Sequence, residues 1–177
     1  MTLRYANIKN LDISNGPGIR VSLFVSGCRR HCKGCFNEVA QSFEYGTRFG
    51  SETLVELLRL LSNPHIKGLS VLGGEPLEPE NRVTVLDICK AVRVAFGDKK
   101  TIWMWTGYSW EDVKDLPVMK YLDVLVDGPF VEEQKNLCLP YCGSENQRVI
   151  DVKMSLRGAE LVTVPFMSAM KGDITTT

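Results

Sequence analysis

The chain has 177 residues, with 21 Lys+Arg against 21 Asp+Glu for a formal net charge of zero, a length that fits one domain. Balanced charge gives no electrostatic reason to expect nucleic acid or an anionic membrane surface as partner. No apolar run approaches the roughly 18 residues a membrane helix needs, and Met1–Tyr5 shows no basic-then-apolar leader. A cytoplasmic location is therefore expected, where six cysteines stay reduced and clustered ones mean metal or catalysis.

Residues 8–20 read as a polar lead-in loop, with Asn15-Gly16-Pro17-Gly18 as its turn. Val21-Ser22-Leu23-Phe24-Val25 reads as a buried strand that empties into Gly27-Cys28. Cys28, Cys32 and Cys35 follow within eight residues. Three thiolates at this spacing can converge on one centre, and the missing fourth is informative. Structural zinc sites close with four protein ligands, whereas reactive sites keep one position open. An iron–sulfur cube held by three cysteines would leave one iron for a small molecule. Arg29, Arg30, His31 and Lys33 are expected to give this loop a positive field that favours thiolate.

A helix is expected from Thr53, with Glu56 completing a capping box and Leu54, Leu57, Leu58 and Leu61 forming its core stripe. Asn63-Pro64 stops it, and His65 reads as solvated. Gly68-Leu69-Ser70-Val71-Leu72 reads as a strand ending in Gly73-Gly74-Glu75-Pro76, followed by a long helix from Pro79. Cys89 falls on that helix's apolar stripe and reads as core. Residues 101–105 form the next strand, ending in Thr106-Gly107-Tyr108, and both Trp103 and Trp105 read as core. Ser109 with Asp112 starts a short helix, and the strand 122–126 runs into Asp127-Gly128-Pro129. Repeated strand, loop and helix call for a mostly parallel sheet with crossover helices. Cys138 and Cys142 form a separate pair, read as thiols without a metal.

The spacing Cys-x3-Cys-x2-Cys resembles that of the radical S-adenosylmethionine (radical SAM) enzymes. Together with Asn15–Arg20, Gly73–Pro76, Trp103–Tyr108, Val126–Phe130 and Gly143–Arg148, it resembles one family among them, the activating proteins of anaerobic (class III) ribonucleoside-triphosphate reductase. The resemblance spans roughly Tyr5 to Ile150. It implies an α/β fold, an open, incomplete (β/α) barrel with mostly parallel strands, over a single domain of residues 1–157. Residues 158–177 would form a poorly ordered extension. The resemblance assigns a [4Fe-4S] cluster to Cys28, Cys32 and Cys35 and S-adenosylmethionine as the second cofactor. Gly73, Gly74 and Glu75 would meet the methionine amino group, and Gly34, Cys35 and Phe36 the nucleoside. Asn37, Thr106 and Asp127 are further polar candidates at strand ends. Gly34 stands where many radical SAM proteins carry an aromatic residue against adenine, so backbone rather than ring stacking is expected to hold it. No catalytic side chain is implied beyond these ligands. The implied partners are the large reductase subunit, whose glycine would become a radical, and a low-potential electron donor such as flavodoxin. Competing readings are another small radical SAM enzyme (a 7-carboxy-7-deazaguanine synthase or a different glycyl-radical activase) and a closed four-thiolate zinc or electron-transfer module completed by Cys138 or Cys142.

Overall fold

Val21, Leu23 and Val25 alternate with Arg20, Ser22 and Phe24, and this period of two assigns one set of side chains to each face of a strand. In the computed structural model, which describes residues 3–158 and 160–164, they form β2 (Ile19–Val25). β2 lies inside one seven-stranded sheet with β1 (Arg4–Asp12), β3 (Thr47–Arg48), β4 (Ile66–Gly73), β5 (Thr101–Trp105), β6 (Val124–Asp127) and β7 (Arg148–Asp151). The order is β3-β1-β2-β4-β5-β6-β7. The four central strands β2, β4, β5 and β6 run parallel, and antiparallel strands flank them on both sides.

Helices α1 (Ser51–Leu61) and α2 (Pro79–Phe96) cover one face. Leu57, Leu61, Val85, Ile88, Cys89 and Val92 bury against Val21, Leu23, Val25, Leu69, Val71, Ile102 and Met104 of the sheet. Cys89 is fully buried there, and His65 is exposed, both as expected. The short α3 (Trp110–Val113) starts at Ser109, whose backbone N–H and hydroxyl both donate to Asp112. α4 (Val152–Arg157) follows β7 directly.

The opposite face carries a smaller cluster of Trp103, Val124, Val126, Cys142 and Val149. It also carries the fully buried Arg20 near the N-terminal end of the parallel strands. Its guanidinium donates to Ser70 Oγ at 2.7 Å, Thr101 Oγ1 at 2.9 Å and the carbonyls of Leu69 and Thr101, so a buried cation is met by acceptors throughout. Burial nevertheless pulls its pKa down to about 10.

Three readings of the sequence are corrected. The lead-in is not all loop: β1 occupies residues 4–12 and pairs antiparallel with β2. Its polar composition hides a strand made by backbone ladders rather than by apolar alternation. α1 begins at Ser51, two residues early. Thr53 Oγ1 accepts from the Gly50 N–H at 3.4 Å, while Glu56 pairs with Arg59. The mostly parallel sheet is as expected, with the antiparallel β1, β3 and β7 at its borders, each reached by a loop rather than a crossover helix. Trp105, finally, is not core: it is half-buried beside a cavity, whereas Trp103 is buried.

Of the expected extension, residues 160–164 run back along β7, with Asp151 N–H donating to Val162 O and Val164 N–H to Val149 O. Residues 165–177, including Thr175-Thr176-Thr177, lie outside the described residues.

Candidate active site

Parallel strands deliver their following loops to one edge of the sheet, so the loops after β2, β4, β5 and β6 meet. They enclose a cavity of about 630 Å³ on the face away from the helices. Cys28, Cys32 and Cys35 all line it, each half-buried. So do Phe36, Asn37, Gly73, Gly74, Glu75, Thr106 and Gly107. Asn15 of the early turn reaches the same wall, whereas Gly34 and Asp127 do not line it.

The thiol loop is anchored where it leaves β2. Gly74 N–H donates to Val25 O and Glu75 N–H to Gly27 O, so the loop after β4 is bonded to the start of the thiol loop. Gly73 has φ +110° and its Cβ would sit 2.7 Å from Val25 O, which only a glycine tolerates. Two side chains from the start of α2 complete the anchor. The buried Asn81 donates to the carbonyls of Ser26 and Glu75. The buried Glu78 accepts from the Arg29 N–H at 2.9 Å and from the Arg29 guanidinium at 2.8 Å. Neither residue was singled out from sequence. The available signal was a polar Asn81 one turn ahead of the apolar stripe Val85, Ile88, Cys89 and Val92.

Glu75 is only 1% exposed. Its carboxylate accepts from Leu77 N–H at 2.9 Å, Thr106 Oγ1 at 2.8 Å and Gly107 N–H at 2.7 Å. Burial pushes its carboxyl above the ordinary range, opposed by these three donors. Glu75 thus ties the loops after β4 and β5 together, and the Thr106 hydroxyl is engaged between Glu75 and the Tyr108 N–H. Asp127 is buried and accepts from Trp110 N–H and twice from Arg148.

The far wall belongs to residues 128–147. Gln147 Oε1 accepts from Gly143 N–H at 2.7 Å and Ser144 N–H at 3.3 Å, and its Nε2 donates to Gly128 O. Asn146 donates to Pro129 O. The Gly143–Gln147 block is therefore a clip that holds this strap over the sheet. Trp105 Nε1 donates to Tyr141 O, and Phe36 packs on Phe130 with centroids 5.2 Å apart.

The expected positive field around the thiols is largely cancelled. Arg29 pairs with Glu78 and Glu80, Lys33 with Glu132 and Glu133, and His31 meets Gln41. Burial pushes the Cys28 thiol up to about 11. Backbone donors still face two sulfurs, from Asn37 to Cys35 and from Arg30 to Cys28. Cys138 is exposed and Cys142 buried against the cavity.

Among the described residues no three His, Cys, Asp or Glu side chains are gathered to hold a single metal ion. One tetrahedral ion draws its thiolates to about 2.3 Å from a common point. Three half-buried thiols on one loop, around one cavity, instead fit a group that offers each thiolate its own metal atom.

Residues 14–150 match the family model of the 4Fe-4S single cluster domain. The anaerobic ribonucleoside-triphosphate reductase-activating protein of Enterobacteria phage T4 is 42% identical over 149 residues, 83% of this chain and 93% of the relative. That of Vibrio cholerae serotype O1 is 40% identical over 149 residues, 82% and 96% of the two chains. That of Haemophilus influenzae is 38% identical over 156 residues, 86% of this chain and the whole of the relative. Three thiols on one cavity wall, a cluster-domain match across most of the chain and relatives aligned nearly end to end agree: the chain belongs to the family of anaerobic ribonucleoside-triphosphate reductase-activating proteins, built on a 4Fe-4S single cluster domain.

Proposed function

We propose that this protein is a radical SAM activase that installs a glycyl radical on the large subunit of an anaerobic ribonucleoside-triphosphate reductase. The observation that carries the reading is the convergence of Cys28, Cys32, Cys35 and the Gly73–Glu75 loop on one cavity. Cys28, Cys32 and Cys35 would hold the [4Fe-4S] cluster and leave its fourth iron to the amino and carboxylate groups of S-adenosylmethionine. A cluster held there would supply low-potential one-electron chemistry for reductive cleavage of the sulfonium, and through it hydrogen-atom abstraction from the partner's glycine Cα.

The chain's own residues bind and orient. The bare backbone of Gly73 and Gly74 admits the methionyl amino group, with the Glu75 carboxylate fixed behind it. Cys35 and Phe36 face the nucleoside, and Asn37 is the polar group on that wall free to turn toward ribose; Gly34, which does not line the cavity, serves by its positive φ to bend the loop into Cys35. Thr106 and Asp127, whose polar atoms are engaged inside the fold, serve by holding the loops. The strap of residues 128–147 excludes water from one side, and the exposed Phe36 and Leu137 lie at the rim a protein substrate would meet. The sheet, open at β3 and β7, is read as an incomplete (β/α) barrel of radical SAM type. A flavodoxin-like donor in the reducing cytoplasm would deliver the electron.

The test is anaerobic incubation of the iron-loaded protein with S-adenosylmethionine, a low-potential reductant and the reductase. A glycyl EPR doublet on the reductase is expected. Methionine release without that doublet, or neither, overturns the assignment.

A further inference from the structure

The roles above leave unused the ring of Tyr108, at the end of the Thr106-Gly107-Tyr108 block after β5, and one cation of the thiol loop. Arg29 ends on Glu78 and Glu80, and Lys33 on Glu132 and Glu133. Among the described residues the guanidinium of Arg30 enters no ion pair. It lies instead on the Tyr108 ring, with Cζ 4.0 Å from the centroid. Arg30 is half-buried and lines the same cavity as the three thiols.

Gly107 makes room for it. A Cβ at Gly107 would stand 3.2 Å from Arg30 Cγ and 3.4 Å from Cδ and Nε. The arginine stem therefore rests on bare backbone, and the ring below fixes the plane of the guanidinium. Such stacking occupies the π-face and leaves the edge N–H donors available. Glu75 is close enough to feel the charge of Arg30, yet its oxygens are bonded to Leu77, Thr106 and Gly107 rather than to it. The cavity thus presents a fixed cation beside a committed anion. A half-buried guanidinium with unused donors calls for an anion, and a planar carboxylate matches its fork.

We propose that Arg30, seated on Tyr108, binds the α-carboxylate of an amino-acid moiety, the methionyl end of S-adenosylmethionine. This inference rests on the reading under Proposed function. A carboxylate has two oxygens, so contact with Arg30 is compatible with metal ligation through the other. Tyr108 is a positioning residue: it sets the guanidinium plane without touching the ligand.

The experiment measures equilibrium binding of S-adenosylmethionine and of its decarboxylated analogue to anaerobically iron-loaded wild type, Arg30→Gln and Tyr108→Leu, with iron per chain determined on each sample. Arg30→Gln is expected to weaken S-adenosylmethionine about 10- to 100-fold, the worth of a hydrogen bond to a charged group, and to change the decarboxylated analogue less than about twofold. Tyr108→Leu, which leaves the thiol loop intact, is expected to cost about threefold, selectively for the carboxylate-bearing ligand. Equal losses for both ligands in either variant, or unchanged affinity for S-adenosylmethionine, overturn the proposal. Unchanged affinity with lost binding to the reductase would assign Arg30 to an acidic partner surface instead and equally overturn it. Wild type that binds neither ligand would sink the radical SAM reading itself, a separate outcome.

Discussion

Glu75 offers a sharp energetic test because its buried carboxylate has three donors and no acceptor to satisfy it in protonated form. In Glu75→Gln the amide oxygen can keep the bonds from Leu77 N–H and Thr106 Oγ1, which share Oε1. The new NH2 then faces the Gly107 N–H at the Oε2 position, where the native bond is 2.7 Å. One bond to a charged acceptor is lost and one backbone N–H is orphaned, a cost of about 1–3 kcal/mol. Relief from burying a charge opposes this, so a net loss of about 2 kcal/mol is expected. In a domain of this size that lowers Tm by about 4–8 °C. Thermal unfolding of iron-free, reduced protein, compared between wild type, Glu75→Gln and Glu75→Ala, reads the effect. Glu75→Ala orphans all three donors and is expected to lose about 3–5 kcal/mol. If Glu75→Gln proves as stable as wild type or more so, burial of the charge outweighs its hydrogen bonds, and the brace between the loops after β4 and β5 is not electrostatic.

Replacing Cys28, Cys32 or Cys35 by Ala should abolish iron retention after anaerobic reconstitution, while Cys89→Ala and Cys138→Ala should keep the wild-type iron content. Gln147→Ala leaves the N–H groups of Gly143 and Ser144 without their side-chain acceptor, and a Tm lower by about 3–8 °C is expected by the same measurement. Burial would raise the Asp12 carboxyl, but hydrogen bonds from Lys9, Ser22, Asn15 and the Ser14 N–H outweigh it and hold it well below the usual carboxylate range. The stability this depressed group contributes is present above its ordinary value of about 3.9 and lost as pH falls below it. The difference in urea-unfolding free energy between wild type and Asp12→Asn should thus be constant above pH 5 and shrink toward pH 3; a pH-independent difference refutes the assignment. Gly68→Ala would put a Cβ 1.9 Å from Thr101 O between two paired strands, and soluble protein with unchanged Tm would contradict the β4–β5 register.

The thiol loop, the Gly73–Pro76 turn and the parallel strands were legible because each rests on short-range chemistry: thiol spacing, glycine tolerance and apolar alternation. β1 was not, since its residues 5–10 pair through backbone and carry little apolar pattern. The anchors Glu78 and Asn81 were illegible for a different reason. Their partners Arg29 and Ser26 lie 49 and 55 residues away, and only the crossover through α2 brings them together. The expected positive field failed in the same way, because Glu132 and Glu133, which neutralise Lys33, arrive on a strap about a hundred residues downstream. The Gly143–Gln147 block was recognisable as a block, but its action as a clip depends on Gly128 and Pro129, placed by β6.

The central claim is an iron–sulfur cube held by three protein thiolates with one iron open to a small molecule. Mössbauer spectroscopy of the 57Fe-reconstituted protein, before and after adding S-adenosylmethionine, tests it most directly. One iron of the four should change its isomer shift on addition while the other three keep theirs. Four unchanged irons, or a protein that binds zinc and no iron under the same reconstitution, would contradict it.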